Sequence, residues 1–314
     1  MLQRIRDDGL QMTKRSAFIA VIGAPNAGKS TLVNALVGVK VSIVTQKVQT
    51  TRARIRGIAV IDDAQLVFTD TPGIFSPRRR LDRAMVAAAW EGLEGADAIV
   101  LVVDAAAELG SPSKSTADTE MIIGELKRRE KKAVLVLNKI DKVARPNLLK
   151  LIADMGAEGV FEETFLLSAE NGDGVKDLRA YLAARATEGP WMYPEDQLSD
   201  ISDRLMAAEV TREKVFKRLH QELPYESTVE TTSWTRTKKG ELRIEQTIYV
   251  SREGHRPIVL GKGGQTLKAI GEASRKELSE IFGEPAHLFL TVNVREGWTE
   301  EAARYREMGL DIVD

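Results

Sequence analysis

Through the first half of the chain, short apolar runs alternate with segments of helical period. SAFIAVIG, ARIRGIAVI, AQLVFTD, AIVLVVD, AVLVLNK and FLLSA read as strands, and LVNALVG, the Met/Ala/Trp-rich stretch around Met85, MIIGELKRR and VKDLRAYLAAR lie between them with helical patterning. Strands separated by crossover helices predict an α/β domain whose mostly parallel sheet is covered on both faces. ARIRGIAVI and AQLVFTD are separated only by Asp62 and Asp63. That gap is too short for a helical crossover, so the two strands are expected to pair antiparallel at the edge of the sheet.

The alternation stops after VKDLRAYLAAR. TEGPWMYPEDQLSD, broken by Gly189, Pro190 and Pro194, reads as a linker. From about Asp203 the pattern becomes helix, strand (Val229 to Trp234), strand (Leu242 to Val250), glycine cluster, helix and strand (HLFLTVNV). The expected organisation is an N-terminal extension (1–14), an α/β domain (15–187), a linker (188–203) and an α+β domain (204–314) ending in a helix. A length of 314 residues fits two domains, and 43% hydrophobic against 29% charged residues excludes a wholly disordered chain. Cysteine is absent, which excludes disulfides, thiolate metal sites and a cysteine nucleophile and suits a reducing cytosol. With neither a signal-peptide core nor a run of about 20 apolar residues, a cytoplasmic location is expected. A net charge of −1 gives no global argument for nucleic-acid binding, so any such case must be local.

The first local case is Gly23-Ala-Pro-Asn-Ala-Gly-Lys-Ser30, a phosphate-binding loop placed between a predicted strand and a predicted helix. Backbone N–H groups of the loop, across Gly23, Asn26, Ala27, Gly28, Lys29, Ser30 and Thr31, are expected to cradle phosphates at the helix N-terminus. Lys29 is expected to reach the β- and γ-phosphates, and the Ser30 hydroxyl to bind Mg²⁺. Asp70-Thr-Pro-Gly73 closes the strand AQLVFTD. Asp70 can hold Mg²⁺ through water, and the Gly73 N–H can meet the γ-phosphate. Asn138-Lys-Ile-Asp141 and Ser168-Ala169 close two further strands, at the edge where open α/β sheets bind ligands. A carboxylate at Asp141 accepts from both N1–H and the 2-amino group of guanine, which adenine lacks. The Ala169 N–H is expected to donate to guanine O6, Asn138 to brace the loop and the Lys139 stem to cover one face of the base.

This ordered set resembles the translation-factor-related GTPase superfamily, and implies a P-loop GTPase fold with GTP or GDP and Mg²⁺ as cofactors. The family pattern places a Mg²⁺-binding threonine in Gln49-Thr50-Thr51-Arg52; the two threonines leave the ligand open, and the pattern favours Thr51. Where Ras-type enzymes carry a water-orienting glutamine after the last glycine of the Asp70–Gly73 motif, this chain has Ile74 and Phe75. Asn26 resembles the asparagine with which some relatives hold K⁺ in place of an arginine finger; the plainer reading is a turn former after Pro25.

In the second domain, Gly261-Lys262-Gly263-Gly264 is a GXXG loop ahead of a helix, and the order of elements is that of a type II KH fold. KH domains clamp about four nucleotides of single-stranded RNA with such a loop, because bare glycines let the sugar-phosphate backbone approach. Residues 236 to 268 hold eight basic against three acidic side chains, read as an RNA track around the loop. Its candidates are Arg236, Lys238, Lys239, Arg252, Arg256, Lys262 and Lys268, with a solvated hairpin tip as the plainer reading of Lys238 and Lys239.

An N-terminal GTPase domain joined through PEDQLSD to a KH domain, with ELPY after its first helix, resembles the bacterial Era GTPase family over Ser16 to Val294. The resemblance implies GTP hydrolysis, binding of 16S rRNA near its 3′ end and a part in assembling the 30S subunit, by a monomer that can also associate peripherally with the membrane. The alternatives are a membrane-recruited or cell-cycle signalling GTPase whose second domain binds protein, and an RNA-binding scaffold with a vestigial nucleotide site. The acidic C-terminal segment EEAARYREMGLDIVD offers the membrane reading no basic amphipathic face.

Overall fold

The computed structural model describes residues 13–301, 305 and 308–311. Most of the N-terminal extension and of the expected C-terminal helix lies outside these residues. The first domain is built on β1 (Arg15–Ile22), β2 (Ile55–Ile61), β3 (Ala64–Asp70), β4 (Ala98–Asp104), β5 (Ala133–Asn138) and β6 (Phe161–Leu166), in the spatial order β2-β3-β1-β4-β5-β6. All neighbours are parallel except the β2–β3 hairpin, which runs from Ile55 opposite Asp70 to Ile61 opposite Ala64, as the two-residue gap predicts.

The helices explain why β4 and β5 are apolar on both faces. α1 (Lys29–Val37) and α6 (Val175–Ala184) bury Leu32, Leu36, Leu178 and Leu182 against one face. α4 (Lys114–Arg128) and α5 (Arg145–Gly156) bury Ile122, Leu126, Leu148 and Leu151 against the other. α2 (Arg80–Glu91) and the short α3 (Ala105–Glu108) complete the layer. Because β1, β3, β5 and β6 run parallel within the sheet, their C-terminal ends share one edge, and each carries a motif there.

The stretch read as a linker is held along the first domain. β7 (Thr187–Glu188) pairs with the start of β1. The Gln65 side chain then grips the backbone of Met192 and Tyr193, accepting at 2.8 and 3.0 Å and donating to the Tyr193 carbonyl at 2.8 Å. Ile58 N–H donates to the Leu198 carbonyl, and Arg56 N–H to Asp200 Oδ1.

The second domain is α7 (Asp203–Arg218), β8 (Ser227–Arg236), β9 (Leu242–Val250), α8 (Arg256–Leu260), α9 (Gln265–Phe282) and β10 (Ala286–Val294). β9 is central, antiparallel to β8 and parallel to β10, and α7 and α9 cover one face. A satellite apolar cluster joins α2 to the C-terminal segment, where Tyr305 and Leu310 are buried against Leu81, Met85 and Ala88.

Candidate functional site

Gly23 and Gly28 shape the phosphate loop. At Gly28 φ is +100°, and a Cβ would lie 2.1 Å from Asn138 Nδ2, so both the backbone conformation and the close approach demand glycine. Gly28 also caps α1, which has no side-chain cap and no acidic residue in its first turn, so its first N–H groups remain available to an anion. Asn26, at φ +63°, is exposed at the rim, whereas Ala27 is fully buried. Lys29 folds back to donate to the Gly23 and Ala24 carbonyls at 3.1 and 3.0 Å. Burial lowers its ammonium to about 8, partly offset by Asp70, and an incoming phosphate would push it back up.

Three oxygens converge beside it. Ser30 Oγ lies 2.8 Å from Thr51 Oγ1, which approaches Asp70 Oδ2 at 3.4 Å. Asp70 is fully buried, its other carboxylate oxygen has no partner, and burial raises its carboxyl despite the neighbouring Ser30, Ser42 and Thr51 hydroxyls and the charge of Lys29. A buried carboxylate oxygen without a donor, flanked by two hydroxyls, is a hard oxygen set that fits Mg²⁺. Thr50, the other candidate, turns its hydroxyl to Thr45 Oγ1 and the Lys47 carbonyl. The structure therefore brings Thr51 to Ser30 and Asp70 and leaves Thr50 out.

The loop after Asp70 is pinned to the phosphate loop by Ile74 N–H donating to the Gly23 carbonyl, with Gly73 packed against Pro25. Ile74 is fully buried in the sheet core, so no side chain there faces a nucleotide. Residues 25, 26, 28–31 and 43–51, Gly73 and Lys139 line a cavity of about 780 Å³ that also takes in Lys142, Glu170, Phe216 and Lys217.

The base-reading motifs close the same edge. Asn138 is 2% exposed, donates to the Ala27 carbonyl at 2.8 Å and accepts from Ala169 N–H at 3.0 Å, tying three loops together. The Ala169 N–H, expected to donate to guanine O6, is here taken by Asn138 Oδ1, because bracing the loop uses both ends of the amide. Ser168 is buried and closes its own turn, accepting from Asn171 N–H. Lys139 reaches across to the Asn26 carbonyl at 2.7 Å and to Asp104 at 2.5 Å, laying its stem over the cavity edge. Asp141 is exposed in a 3₁₀ turn outside the cavity lining.

In the second domain, Gly261, Gly263 and Gly264 all have positive φ. A Cβ at Gly261 would meet Thr266 Oγ1 at 2.2 Å, whereas Gly263 opens to solvent. Lys262, Arg252, Arg256 and Lys268 are exposed around this loop. The basic run, however, is not one surface. Arg236, Lys238 and Lys239 lie at the β8–β9 turn, and the nine residues of β9, about 30 Å of strand, separate them from the glycine loop. Arg236 is also held by Glu284 at 2.6 and 2.8 Å. Sequence proximity misleads here because the run crosses a whole strand.

Comparisons with known proteins agree with this geometry. Residues 18–139 match the family model described as 50S ribosome-binding GTPase, and residues 222–299 match that of the KH domain. GTPase Era of Caulobacter vibrioides is 56% identical over 305 residues, covering 95% of this chain and 96% of that protein. GTPase Era of Sinorhizobium medicae is 59% identical over 297 residues, covering 95% and 94%. This chain belongs to the Era GTPase family. It is a GTPase with a P-loop domain followed by a KH domain. Era solved with MgGDPNP and nucleotides 1506–1542 of 16S ribosomal RNA superposes with a TM-score of 0.87 at 36% identity, covering 94% of this chain and 99% of that one. Aquifex aeolicus Era bound to GDP and AlF₄⁻ gives 0.86 at the same identity and coverage.

The individual contacts that join the two domains of this Era-family chain were not read from the sequence. Residues 40–52, which carry Thr51, dock on the KH domain. Lys40 pairs with Glu213 at 2.9 Å and with Glu277, and Val44 N–H donates to Glu213. Lys47 caps the end of α7 through the Phe216 and Leu219 carbonyls. Arg52, 1% exposed, reaches the carbonyls of Ser227, Pro224 and Tyr225 between the rings of Phe216 and Trp298.

Proposed function

We propose that this chain binds Mg²⁺–GTP at the Gly23–Ser30 loop, hydrolyses it, and in its GTP form binds the 3′ end of 16S rRNA through the Gly261–Gly264 loop to assist assembly of the 30S subunit. The observation that carries the reading is the docking of residues 40–52 on α7 and on the turn before β8, which ties the nucleotide site to the RNA-binding fold. The Era structure holding both MgGDPNP and rRNA supports the pairing of ligands.

In this reading Ser30, Thr51 and Asp70 would hold Mg²⁺, which would supply neutralisation of the phosphate charge. Lys29 leaves its two carbonyls for the phosphates, and the N–H groups of residues 26–31 and Gly73 orient them. Asp141 selects guanine, Lys139 covers the base, and O6 competes with Asn138 for the Ala169 N–H. Since Ile74 points into the core, attack by water depends on a charge supplied otherwise, and the Asn26 side chain at the cavity rim is placed to help hold K⁺. Faster turnover in KCl than in NaCl, abolished in Asn26→Ala, is expected.

Lys262, Arg252, Arg256 and Lys268 track the RNA backbone. No helix among the described residues is long and apolar enough to cross a membrane; we place the chain in the cytoplasm as a monomer, with any membrane contact peripheral. Capture of bound RNA followed by sequencing, with a GTP analogue and with GDP, tests the whole reading. Enrichment of the 16S rRNA 3′ end with the analogue supports it, and equal recovery of unrelated RNA in both states overturns it.

A further inference from the structure

We infer that Arg212, on the first helix of the KH domain, is a positioning residue for the triphosphate form of the nucleotide site, acting through the backbone on Thr51. The inference rests on the reading of Thr51 as a Mg²⁺ ligand.

Arg212 is 2% exposed, and its guanidinium faces two ways. Toward its own helix it is held by Glu209, at 2.7 Å through Nε and 2.5 Å through Nη2. Toward the other domain, Nη1 donates to the Gln49 carbonyl at 3.4 Å and Nη2 donates to the Thr50 carbonyl. The Phe216 ring, 5.0 Å away, supports its plane. The Thr50 carbonyl and the Thr51 N–H belong to one rigid peptide unit. Gripping that carbonyl therefore fixes the plane from which the Thr51 side chain projects, and Thr51 Oγ1 then lies 2.8 Å from Ser30 Oγ.

The loop needs such a grip. Gln49 has φ +58°, a left-handed conformation costly for a residue with a side chain. Its side-chain amide donates to Asp82 Oδ1 at 2.7 Å, linking the same turn to the segment that follows Gly73. Residues 49–51 are thus held from the first turn of α2 by Asp82 and from the KH domain by Arg212. Lysine, a single point charge, cannot reproduce the guanidinium's simultaneous hold on Glu209 and two carbonyls.

The test uses the full-length chain and compares binding of GDP with that of a non-hydrolysable GTP analogue across a Mg²⁺ titration. A threonine that engages only the triphosphate form leaves GDP affinity as an internal control for folding. Arg212→Ala is expected to weaken analogue binding about tenfold or more, to raise the Mg²⁺ concentration for half-maximal binding, and to leave GDP affinity within about twofold. Arg212→Lys is expected to fall between. Because Arg212→Ala strands the Glu209 carboxylate, the pair Arg212→Ala/Glu209→Ala is measured beside it and is expected to show the same loss. In a Thr51→Ala background, Arg212→Ala is expected to add nothing.

Parallel losses for GDP and analogue, or losses that multiply with those of Thr51→Ala, overturn the inference and make Arg212 a structural residue only. If Thr51→Ala itself leaves analogue binding and its Mg²⁺ dependence unchanged, the reading of the metal site fails first and takes the inference with it.

Discussion

Asn138→Ala puts a number on the brace that joins the phosphate loop to the base-reading loops. The side chain makes two hydrogen bonds, 2.8 Å to the Ala27 carbonyl and 3.0 Å from the Ala169 N–H, and both backbone groups are buried. Truncation strands one acceptor and one donor at about 1–3 kcal/mol each, so a loss of about 3 kcal/mol is the central expectation. If it falls on the geometry of the occupied site, guanine-nucleotide affinity drops more than about a hundredfold. Asn138→Asp is the informative partner: it keeps an acceptor for Ala169 but turns a charged oxygen toward the Ala27 carbonyl, and should do no better than alanine. Displacement of a fluorescent GDP analogue gives the affinity, and thermal unfolding separates site loss from global loss. An Asn138→Ala chain whose GDP affinity stays within threefold of wild type, at unchanged melting temperature, would refute the brace.

Asp141→Asn is expected to shift preference from guanine to xanthine nucleotides, because the amide donates where the carboxylate accepted; competition between GDP and XDP measures it. Lys262→Ala should weaken binding of a 16S rRNA 3′ fragment and make its salt dependence shallower by about one phosphate contact, whereas Lys238→Ala/Lys239→Ala, at the far end of β9, should leave both unchanged in filter binding. The Glu213 carboxyl is held at about 2 against burial by Lys214, Lys40 and the Val44 N–H. A carboxyl depressed in the folded state stabilises above its ordinary range near 4.5 and loses that contribution as pH falls toward 2. Melting temperature should therefore decline between about pH 5 and pH 3 in the wild type, and less steeply in Glu213→Gln.

The nucleotide motifs were legible because their chemistry is local. A phosphate loop needs consecutive residues between a strand and a helix, and Asp70, Asn138 and Ser168 follow strands that parallel pairing brings to one edge. The domain interface was not legible, because Arg52, Arg212 and Glu213 are ordinary charged residues until the fold buries them together. For the basic run the sequence pointed the wrong way, since neighbours in the chain stand at opposite ends of β9. The helix Arg145–Gly156 also went without prediction, although Pro146 in its first turn and Leu148, Leu151 and Met155 at helical spacing were its signal.

The strap along β2 and β3 has a mechanical consequence. Its last anchor on the first domain is Asp200, bonded to the Arg56 N–H, and α7 begins at Asp203. Only Ile201 and Ser202 lie between them, and that link spans at most about 10 Å. A KH domain released from residues 40–52 stays on this short leash, pivoting beside the nucleotide site instead of diffusing away. Its local concentration there is that of a short tether, in the millimolar range, so re-docking is fast and needs only modest intrinsic affinity. The clasp can therefore be weak enough to open and still close again quickly.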